Sequence, residues 1–144
     1  MTRTTYNGTS RRNKFKGTVD NDILIGGDGN DTLNGGDGDD YIIGHSLLKQ
    51  PASRGEVDRL TGGRGRDLFV LANGYLGDKN RGYALITDFS VTEDTLILAK
   101  GLSYTFKRTA SGTQVFCGGD LVARLQGLNI GDGIITAQPW AVFV

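Results

Sequence analysis

Hydrophobic side chains return at every ninth residue in the first half of the chain. Counted in nines from Gly8, the eighth position of successive units holds Phe15, Leu24, Leu33, Ile42, Pro51, Leu60 and Phe69. The last three residues of a unit, such as Ile23–Leu24–Ile25, predict a short strand whose eighth residue points inward and stacks on its counterparts. A fixed period of this kind is the signature of a solenoid with a narrow apolar core.

The polar positions of the same units follow a second pattern. Glycine opens every unit except the one at Ser53, and a second glycine follows it in three units. The sixth position holds Asn13, Asp22, Asp31, Asp40, Lys49, Asp58 and Asp67. Glycine permits tight turns and leaves no Cβ in the way, so backbone carbonyls can converge on one point. Carbonyl and carboxylate oxygens are the ligands that calcium prefers, and the turns are therefore predicted to bind it.

The fifth unit, residues 44–52, keeps the length of a repeat but has Lys49 in place of the aspartate and Pro51 in place of the apolar strand residue. We interpret it as a loop or bulge. The chain then divides into a basic lead-in with a degenerate first repeat (residues 1–16), a repeat region (17–70) and a C-terminal part without the period (71–144). Solenoids need caps over their exposed ends, and the C-terminal part is the candidate for one.

Composition and charge agree with a metal-dependent solenoid. Of 144 residues 23 are glycine and only two are proline, which argues against collagen and against a proline-glycine disordered tract. Residues 3–16 carry five cations and no acid, whereas residues 17–48 carry seven aspartates and no lysine or arginine. These carboxylates repel one another with no cation nearby, and each glycine costs backbone entropy. We therefore expect folding to require calcium and chelation to unfold the repeats.

The units GGDGNDTLN and GGDGDDYII, residues 26–34 and 35–43, fit the pattern GGxGxDxUx at every fixed position. The chain thus resembles the RTX, or hemolysin-type calcium-binding, repeat family. The resemblance implies an all-β fold, a right-handed parallel β-roll with two nonapeptides per 18-residue coil, followed by a β-rich cap. The stretches GEVDRLTGGRGRDLFVL and YALITDF resemble in particular small RTX proteins of the type found in cyanobacteria.

Carried over residue by residue, the resemblance implies roughly two to four calcium ions. The expected metal-site residues are Asp20, Asp22, Gly26, Gly27, Asp28, Gly29, Asp31, Gly35, Gly36, Asp37, Gly38, Asp40, Asp58, Gly62, Gly63, Gly65 and Asp67. Arg64, Arg66 and Lys49 depart from the pattern. With units three, five and seven on one side, the site beside Lys49 is expected to be lost, and units two, four and six to bind best. Whether Asp78, Asn80, Asp88 or Asp94 bind metal stays open.

Past residue 70, five segments read as strands: residues 83–89, 94–100, 103–107, 113–117 and 120–126. Turn signals such as Ser111–Gly112 and Gly118–Gly119 separate them. Cys117 lies on one of these segments and is interpreted as a small buried hydrophobe. His45, the only histidine, is interpreted as a loop residue.

No catalytic pattern is present. The chain lacks HExxH and GxSxG, its glycine-rich turns lack the GK[ST] of a phosphate loop, and no Cys/His cluster suggests zinc. We expect a non-enzymatic calcium-binding protein that does not bind nucleic acid and has no membrane span. The alternative is a structural or adhesive cell-surface module, rigidified by calcium, that self-associates or binds a cell-surface glycan.

The resemblance also implies a location. RTX proteins generally leave the cell through type I secretion machinery, directed by an uncleaved C-terminal signal. The N-terminal residues show no apolar signal region, and the apolar end Trp140–Val144 is compatible with that route. The expected location is extracellular or at the cell surface, where weak calcium sites with Kd on the order of 10⁻⁴–10⁻³ M would be filled.

Overall fold

A computed structural model describes residues 3–46, 55–72, 74–76, 81–131, 133–134 and 139–144. Every regular element among these residues is a β-strand. The strands are β1 (Thr5–Asn7), β2 (Lys14–Lys16), β3 (Ile23–Gly27), β4 (Thr32–Asp37), β5 (Tyr41–His45), β6 (Val57–Arg64), β7 (Leu68–Val70), β8 (Tyr83–Ile86), β9 (Thr95–Leu98), β10 (Tyr104–Thr109), β11 (Gly112–Cys117), β12 (Asp120–Gln126), β13 (Gly133–Ile134) and β14 (Ala141–Phe143).

The strands form two sheets. Sheet A has the order β1-β3-β5-β7-β9-β14, and sheet B has the order β13-β10-β11-β12-β8-β6-β4-β2. The chain alternates between the sheets from β1 to β9, and all sheet A pairs are parallel. This is the expected β-roll, because two short strands and two turns make each coil.

The register corrects the predicted position of the fifth unit. Successive partners are 18 residues apart in the first coils, as in Leu24↔Ile42, but 27 apart in Leu33↔Leu60 and Ile42↔Phe69. The fifth unit therefore lengthens the chain by nine residues between partners, while β4 still pairs directly with β6 and β5 with β7. Units two, four and seven share one side and units one, three and six the other, so the predicted grouping was wrong. Lys49 lies outside the described residues.

The roll continues beyond the last glycine-rich unit. Strand β8 pairs parallel with β6, and β9 pairs parallel with β7, again 26 or 27 residues further along the chain. Sheet B then changes character, because β12, β11 and β10 follow as an antiparallel meander. The end of the glycine pattern at residue 70 is thus not the end of the parallel ladder.

The core lies between the sheets and widens toward the C-terminus. As predicted, the eighth residues Leu24, Leu33, Ile42, Leu60 and Phe69 are fully buried. In the C-terminal part, aromatic rings form a connected series, with centroids 5.9 Å apart for Phe69–Phe89, 6.2 Å for Phe89–Trp140 and 5.2 Å for Phe106–Trp140. Large aromatic side chains contribute more apolar burial than the single aliphatic residue per unit of the roll.

All five segments predicted as strands after residue 70 contain one, namely β8 to β12. Cys117 is buried at the end of β11, as expected. The interpretation of His45 was wrong, since it ends β5 and is 1% exposed. No helix within the described ranges is long and apolar enough to cross a membrane.

Candidate calcium sites

The aspartates at the sixth position form two ladders that run along the roll. The turns of units one, three and six form the first turn stack. In it, Asp31 Oδ1 accepts the Asn13 N–H at 2.6 Å and Asp58 Oδ1 accepts the Asp31 N–H at 2.8 Å. In the second turn stack, the Oδ1 atoms of Asp40 and Asp67 accept the N–H groups of Asp22 and Asp40, at 2.8 and 2.9 Å. One carboxylate oxygen of each of these four aspartates is thus used to bind the preceding coil.

The second carboxylate oxygen distinguishes two kinds of turn. Where threonine or serine takes the second position of the unit, its N–H donates to the sixth residue of the same unit. Asp22 Oδ2 accepts from both the N–H and, at 3.0 Å, the hydroxyl of Thr18. Asn13 Oδ1 accepts the Thr9 N–H at 2.9 Å in the same way. We call these closed turns, because the protein itself satisfies the side-chain oxygen.

Where glycine takes the second position, the turn is open. Gly27, Gly36 and Gly63 have positive φ angles of 99°, 114° and 103°. The Oδ2 atoms of Asp31, Asp40 and Asp67, in the same three units, are buried and have no hydrogen-bond partner among the described residues. Leaving a buried carboxylate oxygen without a donor is costly, so these three atoms indicate that another group belongs beside them.

Glycine at the first position of a unit is required for space. Positive φ angles occur at the second and fourth positions of the open turns and not at the first. A Cβ on Gly35 would collide with Asp40 Oδ2 and would lie 2.6 Å from the carbonyl oxygen of Gly62. A carboxylate oxygen and a carbonyl oxygen of the next coil therefore converge where a side chain would begin. The same arrangement recurs at Gly26, with Asp31 Oδ2 and Gly44 O.

Burial raises the pKa of the open-turn carboxylates. Desolvation, followed by repulsion from neighbouring acids, raises the pKa of Asp31 to about 6 and that of Asp67 to about 7, although backbone N–H groups oppose it. Desolvation likewise raises the pKa of Asp40. A bound cation would offset the desolvation and the repulsion together.

Asp58 is satisfied without a metal. Its Oδ2 accepts a short hydrogen bond from the hydroxyl of Tyr75, which is fully buried and has a φ of 58°. A Cβ on Gly44 would meet that hydroxyl and Asp58 Oδ2 together, so Tyr75 takes the place that a next-coil carbonyl takes beside Gly35. Desolvation still raises the pKa of Asp58 to about 7.

Glu56 is a candidate ligand that the sequence analysis missed. Its Oε2 is buried without a hydrogen-bond partner among the described residues, and its charge raises the pKa of Asp31 and of Asp58. It occupies the fourth position of unit six, where units three, four and seven have glycine. The sequence signal for this ligand was an acidic residue at a position where the other units have glycine.

The remaining predicted aspartates lie on the outside of the turns. Asp37 and Asp39 are exposed, and Asp20 and Asp28 are half-buried. Asp39 accepts the Arg66 N–H at 2.8 Å and pairs with the Arg66 guanidinium at 3.9 Å. The expectation that no cation compensates the acidic repeats was therefore wrong, because an arginine of the last unit lies beside Asp39. Both side chains are largely exposed, so the pair contributes little stability.

Two aspartates left open by the sequence belong to the ladders. Asp94 Oδ1 accepts the Asp67 N–H at 3.0 Å, and its Oδ2 accepts the Ser90 N–H at 2.8 Å. Residues 89–97 therefore form a further closed turn, 27 residues after unit seven. Asp88 accepts the N–H groups of Gly62 and Gly63, both at 2.9 Å, and so caps the last open turn. Asp78 and Asn80 lie outside the described residues.

The oxygen set fits calcium and does not fit zinc. Within the described ranges no three His, Cys, Asp or Glu side chains are grouped to hold a metal. Each open turn instead offers one unsatisfied carboxylate oxygen, which in units three and four converges with a backbone carbonyl of the next coil. Such oxygens suit a hard cation that takes six to eight oxygen ligands in flexible geometry.

Known proteins show the same repeats and the same fold. A model of the RTX calcium-binding nonapeptide repeat matches residues 8–46 and 55–75 in four copies. No curated protein matches the sequence. Among solved structures, the chain is similar to the AlgE6R3 subunit of the mannuronan C5-epimerase from Azotobacter vinelandii, with 22% identity and a TM-score of 0.53 over 88% of this chain and 68% of that one. At this identity the likeness concerns the fold alone. Residues 8–46 and 55–75 of this chain therefore match RTX calcium-binding nonapeptide repeats, and the fold that carries them is a parallel β-roll.

Proposed function

We propose that the protein is a non-enzymatic calcium-binding module whose roll folds when calcium enters the three open turns, and that it works outside the cell. The observation that carries this proposal is the set of buried oxygens without partners, Oδ2 of Asp31, Asp40 and Asp67. One ion per open turn gives three ions, within the expected range of two to four. Asp22 and Asp58 then act as structural acceptors, since Thr18 and Tyr75 already satisfy them.

Calcium would supply the positive charge that the unpartnered Oδ2 atoms of these turns lack. The aspartate of each open turn would hold the ion with Oδ2 while its Oδ1 keeps the hydrogen bond to the preceding coil, as in Asp40 and Asp22. Binding would therefore fix two adjacent coils relative to each other. Because each coil has only a narrow aliphatic core, this contribution would decide whether the roll folds.

The C-terminal part has a different basis of stability. Its aromatic series around Trp140 and the antiparallel strands β10 to β12 need no metal to bury their side chains. We expect chelation to unfold residues 17–45 while residues 104–126 stay folded. Peptide-resolved hydrogen exchange in calcium and in chelator tests this expectation. Equal protection of the two segments in both buffers would contradict the proposal.

Two arguments support the proposed extracellular role: RTX proteins generally leave the cell, and the calcium sites are expected to bind with low affinity. Calcium is scarce in the cytosol and plentiful outside cells, so a roll with weak sites would stay unfolded until export by type I secretion. Removal of the C-terminal residues should then abolish export from a host that carries the secretion machinery. Undiminished export of the truncated chain would overturn this part.

A second candidate function is that of an adhesive or self-associating module. On the outer face of sheet A, the half-buried Ile97 faces Val142 across neighbouring strands. Val142 is 44% exposed. Oligomers that form in calcium and dissociate in chelator, measured by light scattering, would favour this candidate.

A further inference from the structure

The outer face of sheet B carries a regular row of cations. The register places Lys14 opposite Thr32, Thr32 opposite Arg59, and Arg59 opposite Leu85. The same row continues through Arg124, Gln114 and Lys107. The four cations of this row, hereafter the cation row, are Lys14, Arg59, Arg124 and Lys107. They lie on every second strand, and adjacent strands are about 4.8 Å apart, so the cations recur roughly every 10 Å over about 30 Å.

The cation row is exposed and free of acidic residues. All four cations are exposed, and within the described ranges Lys14, Arg59 and Lys107 lie in no ion pair. The guanidinium of Arg124 stacks on the ring of Tyr83, 4.5 Å from its centroid. This contact holds Arg124 in place and leaves its N–H groups free to bind a ligand.

A groove lies in the middle of the row. It has a volume of about 310 Å³ and is lined by Arg59, Arg124, Gln114 and Gln126 among others. Two residues further along the strands, a second row runs beside the cations; it begins with Lys16, opposite Asn34, and continues through the neutral Asn34 and Thr61. The Thr61 and Thr87 hydroxyls lie 2.8 Å apart in this second row. The face therefore combines widely spaced charges with hydroxyl and amide groups.

This combination selects among linear polyanions. DNA carries one charge per about 1.7 Å of its axis, far denser than the cation row. Single-stranded nucleic acids are bound on successive aromatic side chains, whereas Tyr83 is already covered by Arg124. An extended polysaccharide with a carboxylate on every second sugar has sparse charges on a hydroxyl-rich chain. Arginine binds such carboxylates through paired N–H groups.

We propose that the cation row and its groove bind an acidic polysaccharide chain laid across the strands of sheet B, with Arg59 and Arg124 as the central carboxylate contacts. The row lies on the outer face of sheet B, one residue after the ladder aspartates Asp31 and Asp58 in sequence. Binding requires only that sheet B is folded.

A hyaluronan octasaccharide, which has a carboxylate on every second sugar, is the probe. Isothermal titration in calcium-containing buffer at low salt compares the parent protein with the double variant Arg59→Gln/Arg124→Gln. The matched control, Arg3→Gln/Lys100→Gln, removes the same charge from exposed positions outside the row. We expect the row variant to bind about tenfold more weakly and the control to bind like the parent. Circular dichroism verifies that both variants are folded.

Three results would overturn the proposal: no binding of the parent protein, an equal loss in both variants, or tighter binding of oligothymidylate than of hyaluronan. A neutral glucose octasaccharide should not bind. The comparison of the row variant with the parent is made in calcium, where sheet B is folded in both. A titration in chelator, read together with circular dichroism, then tests whether binding is lost only when sheet B unfolds.

Discussion

Asp22 and Asp40 occupy the same position in consecutive coils of the second turn stack, but only one is in an open turn. The same substitution, to asparagine, should therefore have opposite consequences. In Asp40→Asn the carbonyl oxygen can keep the hydrogen bond to the Asp22 N–H, and the amide replaces the oxygen that has no partner. Both side-chain oxygens of Asp22 accept a backbone N–H, Oδ1 from Thr4 and Oδ2 from Thr18. In Asp22→Asn the new amide NH₂ must therefore face one of these N–H donors.

The magnitudes follow from charge and hydrogen bonding. Two unit charges about 4 Å apart interact by roughly 1 kcal/mol in water and roughly 4 kcal/mol at an effective dielectric constant near 20. A divalent ion doubles these values, and desolvation of the carboxylate offsets part of them. We expect Asp40→Asn to lose on the order of 2 kcal/mol of calcium binding at one site, about thirtyfold in Kd. Asp22→Asn should instead cost about 1–3 kcal/mol of folding stability.

Calorimetric calcium titration and thermal unfolding in calcium measure both quantities. Asp40→Asn should bind one ion fewer at moderate calcium, because it removes the charge of the carboxylate whose Oδ2 has no donor among the described residues. Asp22→Asn should bind the parent number of ions and melt at a lower temperature. A lost ion in Asp22→Asn, with an unchanged number in Asp40→Asn, would refute the distinction between open and closed turns.

Three further predictions concern the same turns. Tyr75→Phe leaves Asp58 Oδ2 without its donor and should destabilise the protein by about 1–3 kcal/mol in urea unfolding, whereas no change would show that the hydrogen bond is unimportant. Gly35→Ala should greatly weaken calcium-induced folding followed by circular dichroism, and Gly131→Ala, where a Cβ meets nothing within 4 Å, is the control that should behave like the parent. In chelator, the β signal of the roll in circular dichroism should be highest at acidic pH. The pKa of Asp67 is 3.8 when unfolded and about 7 when folded, so the folded state holds the proton more tightly, and this stabilisation is lost as the pH rises through about 7. A β signal in chelator that increases from pH 4 to pH 7 would contradict this sign.

The parallel roll could be predicted because its rules are local. A nine-residue period places Leu24, Leu33 and Ile42 on the inner face whatever the rest of the chain does. Strands β8 to β12 were also predictable, since β-branched and aromatic runs are separated by glycine turns such as Gly118–Gly119, which have φ angles of 56° and 95°.

The pairing of the coils could not be predicted by counting units. Nothing local distinguishes a degenerate unit that occupies a place in the ladder from one that is inserted between two strands. The distance between Asp67 and Asp94 is three nonapeptides, and this spacing could have revealed the further turn at residues 89–97. Its first residue is Phe89 in place of glycine, which concealed it.

The state of Asp58 depended on a residue distant in sequence. Asp58 is satisfied by Tyr75, 17 residues away, and a pattern of nine cannot indicate that contact. By contrast, threonine or serine at the second position was visible in the sequence. Its capacity to donate to the sixth residue is a local property that separates Asp22 from Asp40 without any structure.

The most direct test of calcium-driven folding is a calcium titration of the protein in chelated buffer, followed by far-UV circular dichroism with magnesium as the control. A cooperative gain of β signal with calcium and not with magnesium is predicted, with a midpoint on the order of 10⁻⁴–10⁻³ M. A spectrum that is already fully β in chelator and indifferent to calcium would contradict the account, because the buried aspartates would then be accommodated without a metal.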